Sequence, residues 1–167
     1  MPKTNAEWQA LDDRLAREVM GWCGWDDIPE SDRNELREPL DGGFDYLAAG
    51  FSVSEYEAFS VATHRAFWWQ KHPEHGWDHA YDCRDWQPHE DVAQALGVLD
   101  AIISRGFDAD LRILYHDPKH QAWIRPADFS FGACMGRHIE RAKAICLAAE
   151  RWANAQKEKP LNVGLTA

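Results

Sequence analysis

Two hydrophobic periodicities follow one another in the second half of the chain and constrain its fold. Apolar residues recur at three- and four-residue steps in two stretches, which predicts helices over about 90–105 and 137–155. Between them, residues 107–115 alternate between apolar and polar, the period of a strand with one buried face. Turn residues follow this strand, so we expect a hairpin over about 107–126. A small antiparallel sheet of this kind needs helices to cover it, which predicts an α+β fold.

The first half of the chain is less regular. A capping-box pattern at residues 4–7 precedes apolar residues at helical spacing, which predicts a helix over about 5–20. A second helix is expected over about 54–70. Proline and glycine interrupt much of the rest, so we interpret 71–89 as a loop and about 23–85 as an irregular insert.

Length and composition fit one layered domain. A chain of 167 residues with 45% hydrophobic and 28% charged residues can bury one core of moderate size. We therefore predict a single domain over 1–156, in which sheet and helices form a layered sandwich, and a mobile tail over 157–167. No apolar run approaches the roughly 18 residues of a membrane span. The N-terminus carries no apolar signal core, so a cytoplasmic protein is expected.

Charge is distributed unevenly along the chain. The net charge of −10 argues against a general nucleic-acid-binding protein. Residues 1–110 carry 9 Lys and Arg against 23 Asp and Glu, a net −14, whereas residues 111–167 carry 9 against 5, a net +4. An anionic ligand is therefore expected to prefer the C-terminal part, and a basic partner the N-terminal part. A solvated acidic surface is the alternative interpretation.

A histidine-rich stretch of the insert carries groups that bind zinc. His75, His79 and Cys83 are four residues apart, so on one helix they would face the same ion, with His72 or His89 as a fourth ligand. Proline and glycine weaken a helix there, and the spacing matches no standard zinc signature. The alternative is a polar loop whose histidines bond to carboxylates. The sequence therefore predicts no cofactor, with zinc as the alternative.

Three of the nine tryptophans and two arginines are the candidate ligand-binding residues. The rings of Trp68, Trp69 and Trp86 could stack on a base or anchor an interface, although core packing is the commoner use of tryptophan. Arg112 and Arg125 are expected to point away from the buried face of the hairpin, where guanidinium groups could bind phosphates. Exposure to solvent without a ligand is the alternative for both arginines.

Four sequence blocks occur in an order that points to a family. Residues 11–22 begin within the first predicted helix and end in Val-Met-Gly-Trp, and residues 86–88 are Trp-Gln-Pro. The hairpin contains Trp123, and the last predicted helix contains residues 144–149, Ala-Ile-Cys-Leu-Ala-Ala. In this order the blocks resemble small proteins of tailed phages and prophages of the phage ABA sandwich type.

The resemblance covers roughly residues 8–22 and 86–153. It departs from the family pattern at His89, which stands where a serine helix cap is usual, and in residues 23–85, a longer connection than the family has. The resemblance implies a compact fold and a phage origin. It supplies no catalytic motif, and whatever the insert does lies outside it.

Together these features favour a non-enzymatic phage accessory protein in the host cytoplasm. We expect it to bind a small anionic ligand or a host protein, and to act as a homo-oligomer in counter-defence by sequestering an anionic nucleotide signal. One alternative is a pure protein–protein inhibitor of a host factor. Another is a zinc-binding protein or hydrolase that uses residues 72–89. The sequence has no GxSxG, GxGxxG or Walker motif, which leaves the enzyme class without a supporting pattern.

Overall fold

The computed structural model describes residues 3–36, 52–114, 117–126 and 133–158. It confirms an α+β fold, because the described residues form α-helices and two small antiparallel sheets, one of two strands and one of three. Within this part of the chain, none of the helices has both the length and the apolar character that crossing a membrane requires.

Contacts group the chain into two compact units. Unit 1 contains Met1–Met20 and Gln87–Ala167, and unit 2 contains Gly21–Trp86. The bounds of unit 2 are close to those of the predicted insert, 23–85. The single domain over 1–156 stays a prediction, and each unit is described by itself.

The described helices and strands, in chain order, are α1 (Asn5–Leu15), α2 (Glu30–Leu36), α3 (Val53–Arg65), β1 (Phe67–His72), β2 (Gly76–Asp82), α4 (Val92–Ile103), β3 (Phe107–Leu114), β4 (Asp117–Pro126), β5 (Cys134–His138) and α5 (Arg141–Glu158). Strands β1 and β2 form the sheet of unit 2. The sheet of unit 1 has the order β3-β4-β5 and is antiparallel throughout.

The predicted hairpin and both of its flanking helices are present in unit 1. Strands β3 and β4 pair from Phe107 with Pro126 to Leu114 with Asp117. Helix α4 is capped by Asp91, whose carboxylate accepts backbone N–H groups of the first turn. The third strand, β5, was not predicted, and it ends shortly before α5, which therefore begins at Arg141 rather than near 137. Of the predicted tail over 157–167, the first two residues belong to α5 and the others lie outside the described part.

Helix α5 covers one face of the three-stranded sheet. Gly136 on β5 lies against the backbone of α5, and its partner Ala122 on β4 shares that face. Ala122 and Ile124 are both 0% exposed, so this face is the core of unit 1. Residues of the opposite parity, such as Arg112 and Gln121, lie on the other face of the sheet.

The predicted helix over 5–20 is confirmed as α1 followed by one π-helical segment, Ala16–Met20. Its capping box is formed: the N–H of Thr4 donates to Glu7 Oε2 at 2.7 Å, and the N–H of Glu7 donates to Thr4 Oγ1 at 3.3 Å. At the other end, the guanidinium of Arg105 donates to the carbonyl oxygen of Val19 at 2.5 Å. This bond satisfies a carbonyl that the end of the helix leaves open.

Two of the predictions for unit 2 are wrong. The helix expected over 54–70 ends at Arg65, and the loop expected over 71–89 contains most of a β-hairpin. Glycine explains part of the difference, because Gly76 adopts a φ of +82° where the hairpin turn closes. A bulge between Trp68 and Trp69 interrupts the alternation of β1, so both of these successive rings are buried. Two adjacent apolar residues do not fit the period of a strand, which explains why the sequence favoured a helix here.

Candidate functional site

The structure buries the three candidate tryptophans in unit 2. Trp68, Trp69 and Trp86 are 5, 3 and 5% exposed. The Trp69 ring centroid lies 5.4 Å from that of Trp25, and its Nε1–H donates to a backbone carbonyl oxygen at 3.0 Å. The Trp86 ring meets the Trp22 ring in an edge-to-face contact at 4.7 Å. These contacts use the rings for packing, so the rings do not present a face on which a ligand could stack.

The two candidate arginines lie on the same hairpin but are well separated. Arg112 pairs with Gln121 and Arg125 pairs with Asp108, so the two arginines lie four residue steps apart along the ladder. At roughly 3.3 Å per residue, their backbone positions are about 13 Å apart along the strands. Arg112 donates to Asp110 at 2.6 Å, and Arg125 lies 4.0 Å from the Asp108 carboxylate. The structure therefore does not bring the two arginines to one site.

A cavity of about 180 Å³ instead combines Arg112 with residues that the sequence did not single out together. It is lined by Leu111, Arg112, His120, Gln121 and Arg141. Arg141 is the first residue of α5, where the helix dipole carries its positive end. Two arginines and a histidine around one cavity at a helix N-terminus have the chemistry of an anion site.

The carboxylate that precedes Arg141 in the chain is already paired, whereas that of Asp110 accepts a hydrogen bond from Arg112. Lys143 donates to Glu140 at 2.7 Å, and this hydrogen bond holds the pKa of Glu140 below its ordinary value. Burial lowers the pKa of His138, which keeps the ring neutral so that its Nδ1 accepts the N–H of Glu140 at 3.0 Å. Because Lys143 balances Glu140, the charge of Arg141 is not cancelled by its sequence neighbour.

The lining residue Gln121 accepts a hydrogen bond from the side chain of Trp123. Gln121 is 8% exposed, and its Oε1 accepts the indole Nε1–H of Trp123 at 3.3 Å. The bond orients the side-chain amide so that its N–H₂ group is the end left to donate. A neutral amide donor at the wall can hydrogen-bond an oxygen of an anion, although more weakly than a guanidinium does.

The predicted set of zinc ligands does not share a helix. His79 lies on β2, and its ring packs 4.2 Å from the Phe67 ring and 4.3 Å from the Trp69 ring. Cys83 follows β2, with its Sγ 3.9 Å from the carbonyl oxygen of Arg65. The helical arrangement expected for His75, His79 and Cys83 is wrong, because the segment is a hairpin in which the side-chain period is two.

A different group of ligands meets at the turn of the β1–β2 hairpin. One ligand atom each from His72, His75 and Asp78 lie within 4.8 Å of one another. The two imidazole rings are stacked, with centroids 4.6 Å apart and planes 19° apart. His75 and Asp78 are exposed, and His72 is half-buried. The other residue considered as a fourth ligand, His89, belongs to unit 1.

A buried carboxylate–imidazole pair in unit 1 accounts for His89. Asp12 is 1% exposed and His89 is 8% exposed, and Asp12 Oδ2 lies 2.5 Å from His89 Nδ1. The Trp8 ring stacks on the His89 ring at 5.5 Å with nearly parallel planes. Burial raises the pKa of Asp12 to about 6, against the opposing effect of the hydrogen bond from His89. The pair joins α1 to the segment before α4 and is a structural element of the core.

Sequence reasoning could not find this pair or the cavity lining, because each depends on residues far apart in the chain. Asp12 and His89 are 77 positions apart. The sequence singled out His89 as a possible zinc ligand and not as a partner of Asp12. No protein-family model, no curated protein and no solved structure matches the chain.

Proposed function

We propose that this chain is a non-enzymatic binding protein that takes a small anionic ligand at the cavity of unit 1. The observation that carries the proposal is the lining of one cavity by Arg112, His120 and Arg141, which come from β3, β4 and α5. Arginine side chains at one cavity can donate hydrogen bonds to the oxygens of a phosphate or carboxylate. The net +4 of residues 111–167, in a chain of net charge −10, supports the same assignment.

The size of the cavity restricts the ligand. A volume of about 180 Å³ is below the roughly 300–1,000 Å³ typical of pockets that enclose drug-sized ligands. The anionic group of the ligand therefore enters the cavity, while the remainder lies outside it. For a nucleotide, the phosphate is the part that Arg112 and Arg141 recognise. The buried tryptophans of unit 2 have no part in this recognition.

The phage origin of the protein and its action in the host cytoplasm are proposed from the sequence blocks alone. The resemblance of residues 8–22 and 86–153 to phage ABA sandwich proteins supports a phage accessory protein that acts in the host cytoplasm. A protein that holds an anionic nucleotide without changing it would lower the concentration of a host defence signal. Sequestration of such a signal is the specific form of the proposal.

Isothermal titration calorimetry tests the proposal. The protein is titrated with inorganic phosphate and with a panel of cyclic mononucleotides and dinucleotides. We expect binding by at least one of these anions, weakened about tenfold or more by Arg112→Gln or Arg141→Gln, because hydrogen bonds to charged groups contribute about 1.5–3 kcal/mol. Binding should also weaken as salt is added, since the attraction is electrostatic.

Arg125→Gln is the matched control. Arg125 lies on the same hairpin and carries the same charge, but it does not line the cavity. Its loss should leave the affinity for the bound anion nearly unchanged. The absence of heat with every member of the panel would overturn the proposal. Equal weakening by all three arginine variants would also overturn it, because binding would then follow net charge and not the cavity.

A further inference from the structure

We infer that the turn of the β1–β2 hairpin is a zinc site whose protein ligands are His72, His75 and Asp78. The inference concerns unit 2 and is independent of the anion site proposed for unit 1. Two imidazole nitrogens and a carboxylate oxygen are ligands that Zn²⁺ takes in proteins. In this structure one ligand atom from each of the three residues lies within 4.8 Å of the others.

The register of the hairpin explains why these three residues meet. His72 pairs with Gly76, and Gln70 pairs with Asp78, so His72 and Asp78 lie on the same face as diagonal neighbours across the two strands. His75 belongs to the turn that joins the strands, and its ring stacks on that of His72. The three ligands therefore come from the end of β1, the turn and the start of β2.

The opposite face of the hairpin is anchored to the rest of unit 2. Trp77 donates its indole N–H to Asp32 at 2.7 Å, and Lys71 donates to the same carboxylate oxygen at 3.2 Å. Trp69, on this same face, packs in the core with Trp25. With one face fixed in this way, the strands hold the outward-facing ligands at a constant spacing, which reduces the entropy lost on binding an ion.

The ligand geometry needs only side-chain adjustment to bind an ion. Ligand atoms on one tetrahedral zinc lie about 3.3 Å apart, given Zn–N and Zn–O bonds near 2.0–2.1 Å. The present separations of up to 4.8 Å can close by rotamer changes, because His75 and Asp78 are exposed. Asp78 Oδ1 accepts the N–H of His79 at 2.9 Å, which orients the carboxylate and leaves its second oxygen to reach the metal.

Three protein ligands leave one position on the ion for water. This is the ligand count of zinc sites that keep an open position, whereas closed structural sites have four protein ligands. His79 and Cys83 are excluded as the fourth ligand in this arrangement. His79 lies on the face of the hairpin that carries Trp69, opposite to the face of His72 and Asp78, and Cys83 lies beyond the end of β2.

The test is a zinc titration of the full chain, purified without a histidine tag and freed of metal with a chelator. Calorimetry should show one zinc ion per chain. His72→Ala, His75→Ala and Asp78→Asn should each weaken zinc binding about tenfold or more, as losses within a coordination sphere do. His79→Gln and Cys83→Ser should leave the affinity unchanged. Circular dichroism in the presence of chelator would establish that each variant is folded.

Cobalt substitution gives a second readout. Co²⁺ in the site should give a d–d absorption spectrum without a thiolate-to-metal charge-transfer band, since the inferred ligands contain no sulfur. Zinc binding that is no stronger in the wild-type chain than in a His72→Ala/His75→Ala double variant would overturn the inference. A charge-transfer band that disappears with Cys83→Ser would overturn it in favour of a cysteine-containing site.

Discussion

Replacement of Gly136 by alanine is expected to lower the free energy of unfolding of the chain by about 3 kcal/mol or more, the upper range for overpacked cores. A Cβ on Gly136 would lie 1.9 Å from the carbonyl oxygen of Ala144 and 2.4 Å from the backbone nitrogen of Ala148. Both atoms belong to the backbone of α5, so no side chain can rotate to make room. The helix would have to move away from the sheet, and the core between them would open.

Gly97→Ala is the control for this prediction. Gly97 lies within α4, and a Cβ there would meet no other heavy atom within 4 Å. Alanine is favoured over glycine in a helix by about 1 kcal/mol, so this variant should be as stable as the parent chain or more stable. Urea unfolding followed by far-ultraviolet circular dichroism measures both. Equal stability of the two variants would contradict the close packing of β5 on α5.

Replacement of His89 by alanine is expected to lower the free energy of unfolding by about 3–5 kcal/mol near neutral pH, the cost of removing one member of a buried charged pair. Asp12 is 1% exposed, and His89 lies 2.5 Å from it. Without the imidazole, the carboxylate must either stay charged in a buried environment or take up a proton. The variant also loses the stacking of His89 on Trp8.

The effect should depend on pH in a defined direction. Burial raises the pKa of Asp12 from its ordinary 3.8 to about 6. Between these values the native state holds a proton that the unfolded state has lost, so the free energy of unfolding falls as pH rises from about 4 to about 6. One pKa unit corresponds to about 1.4 kcal/mol, so the total change from Asp12 is about 3 kcal/mol. The stability that this group confers is complete below about pH 4 and is lost above about pH 6.

Two variants check this direction. Asp12→Asn carries no titrating carboxyl, so the decrease in stability between about pH 4 and pH 6 should disappear. Asp13→Asn removes the neighbouring exposed carboxylate and should change stability by no more than about 0.5 kcal/mol. The loss caused by His89→Ala should be smaller near pH 4.5, where Asp12 is largely protonated, than near pH 7.5. An equal loss at both pH values would show that His89 acts through packing and not through the charge of Asp12.

The elements that the sequence predicted are those with local signals. The capping box of α1 and the alternation of β3 each depend on residues within a few positions, and both are present in the structure. Gly106 follows α4 with a φ of +86°, as a glycine after a helix often does. These local patterns predict structure correctly where the tertiary contacts favour the same backbone conformation.

The elements that the sequence did not predict depend on pairing. Strand β5 has only five residues and gains its partners from β4. The β1–β2 hairpin contains two adjacent tryptophans that a bulge allows to be buried together, so neither a period of two nor a period of 3.6 was decisive. In both cases the hydrogen bonds to a partner strand, and not local propensity, select the extended backbone.

The candidate sites show the same division. Arg112 was predicted from the hairpin pattern. Arg141 was not predicted as its neighbour, because the sequence did not reveal strand β5 and therefore did not show that α5 begins at Arg141. His75 was predicted as a candidate metal ligand, but the helical spacing that grouped it with His79 and Cys83 does not apply to a hairpin. The sequence therefore singled out residues that lie in both candidate sites, while the neighbours of each residue depended on register.

The most direct test of anion binding at the unit 1 cavity is a titration followed by nuclear magnetic resonance. Inorganic phosphate, and the tightest-binding nucleotide from calorimetry, are added to isotopically labelled protein, and amide and side-chain signals are assigned. We predict that the largest shifts occur at the lining residues, which are Leu111, Arg112, His120, Gln121 and Arg141. Signals of the buried tryptophans in Gly21–Trp86 should stay unchanged. Shifts confined to Gly21–Trp86, or no saturable shift with either anion, would contradict the account.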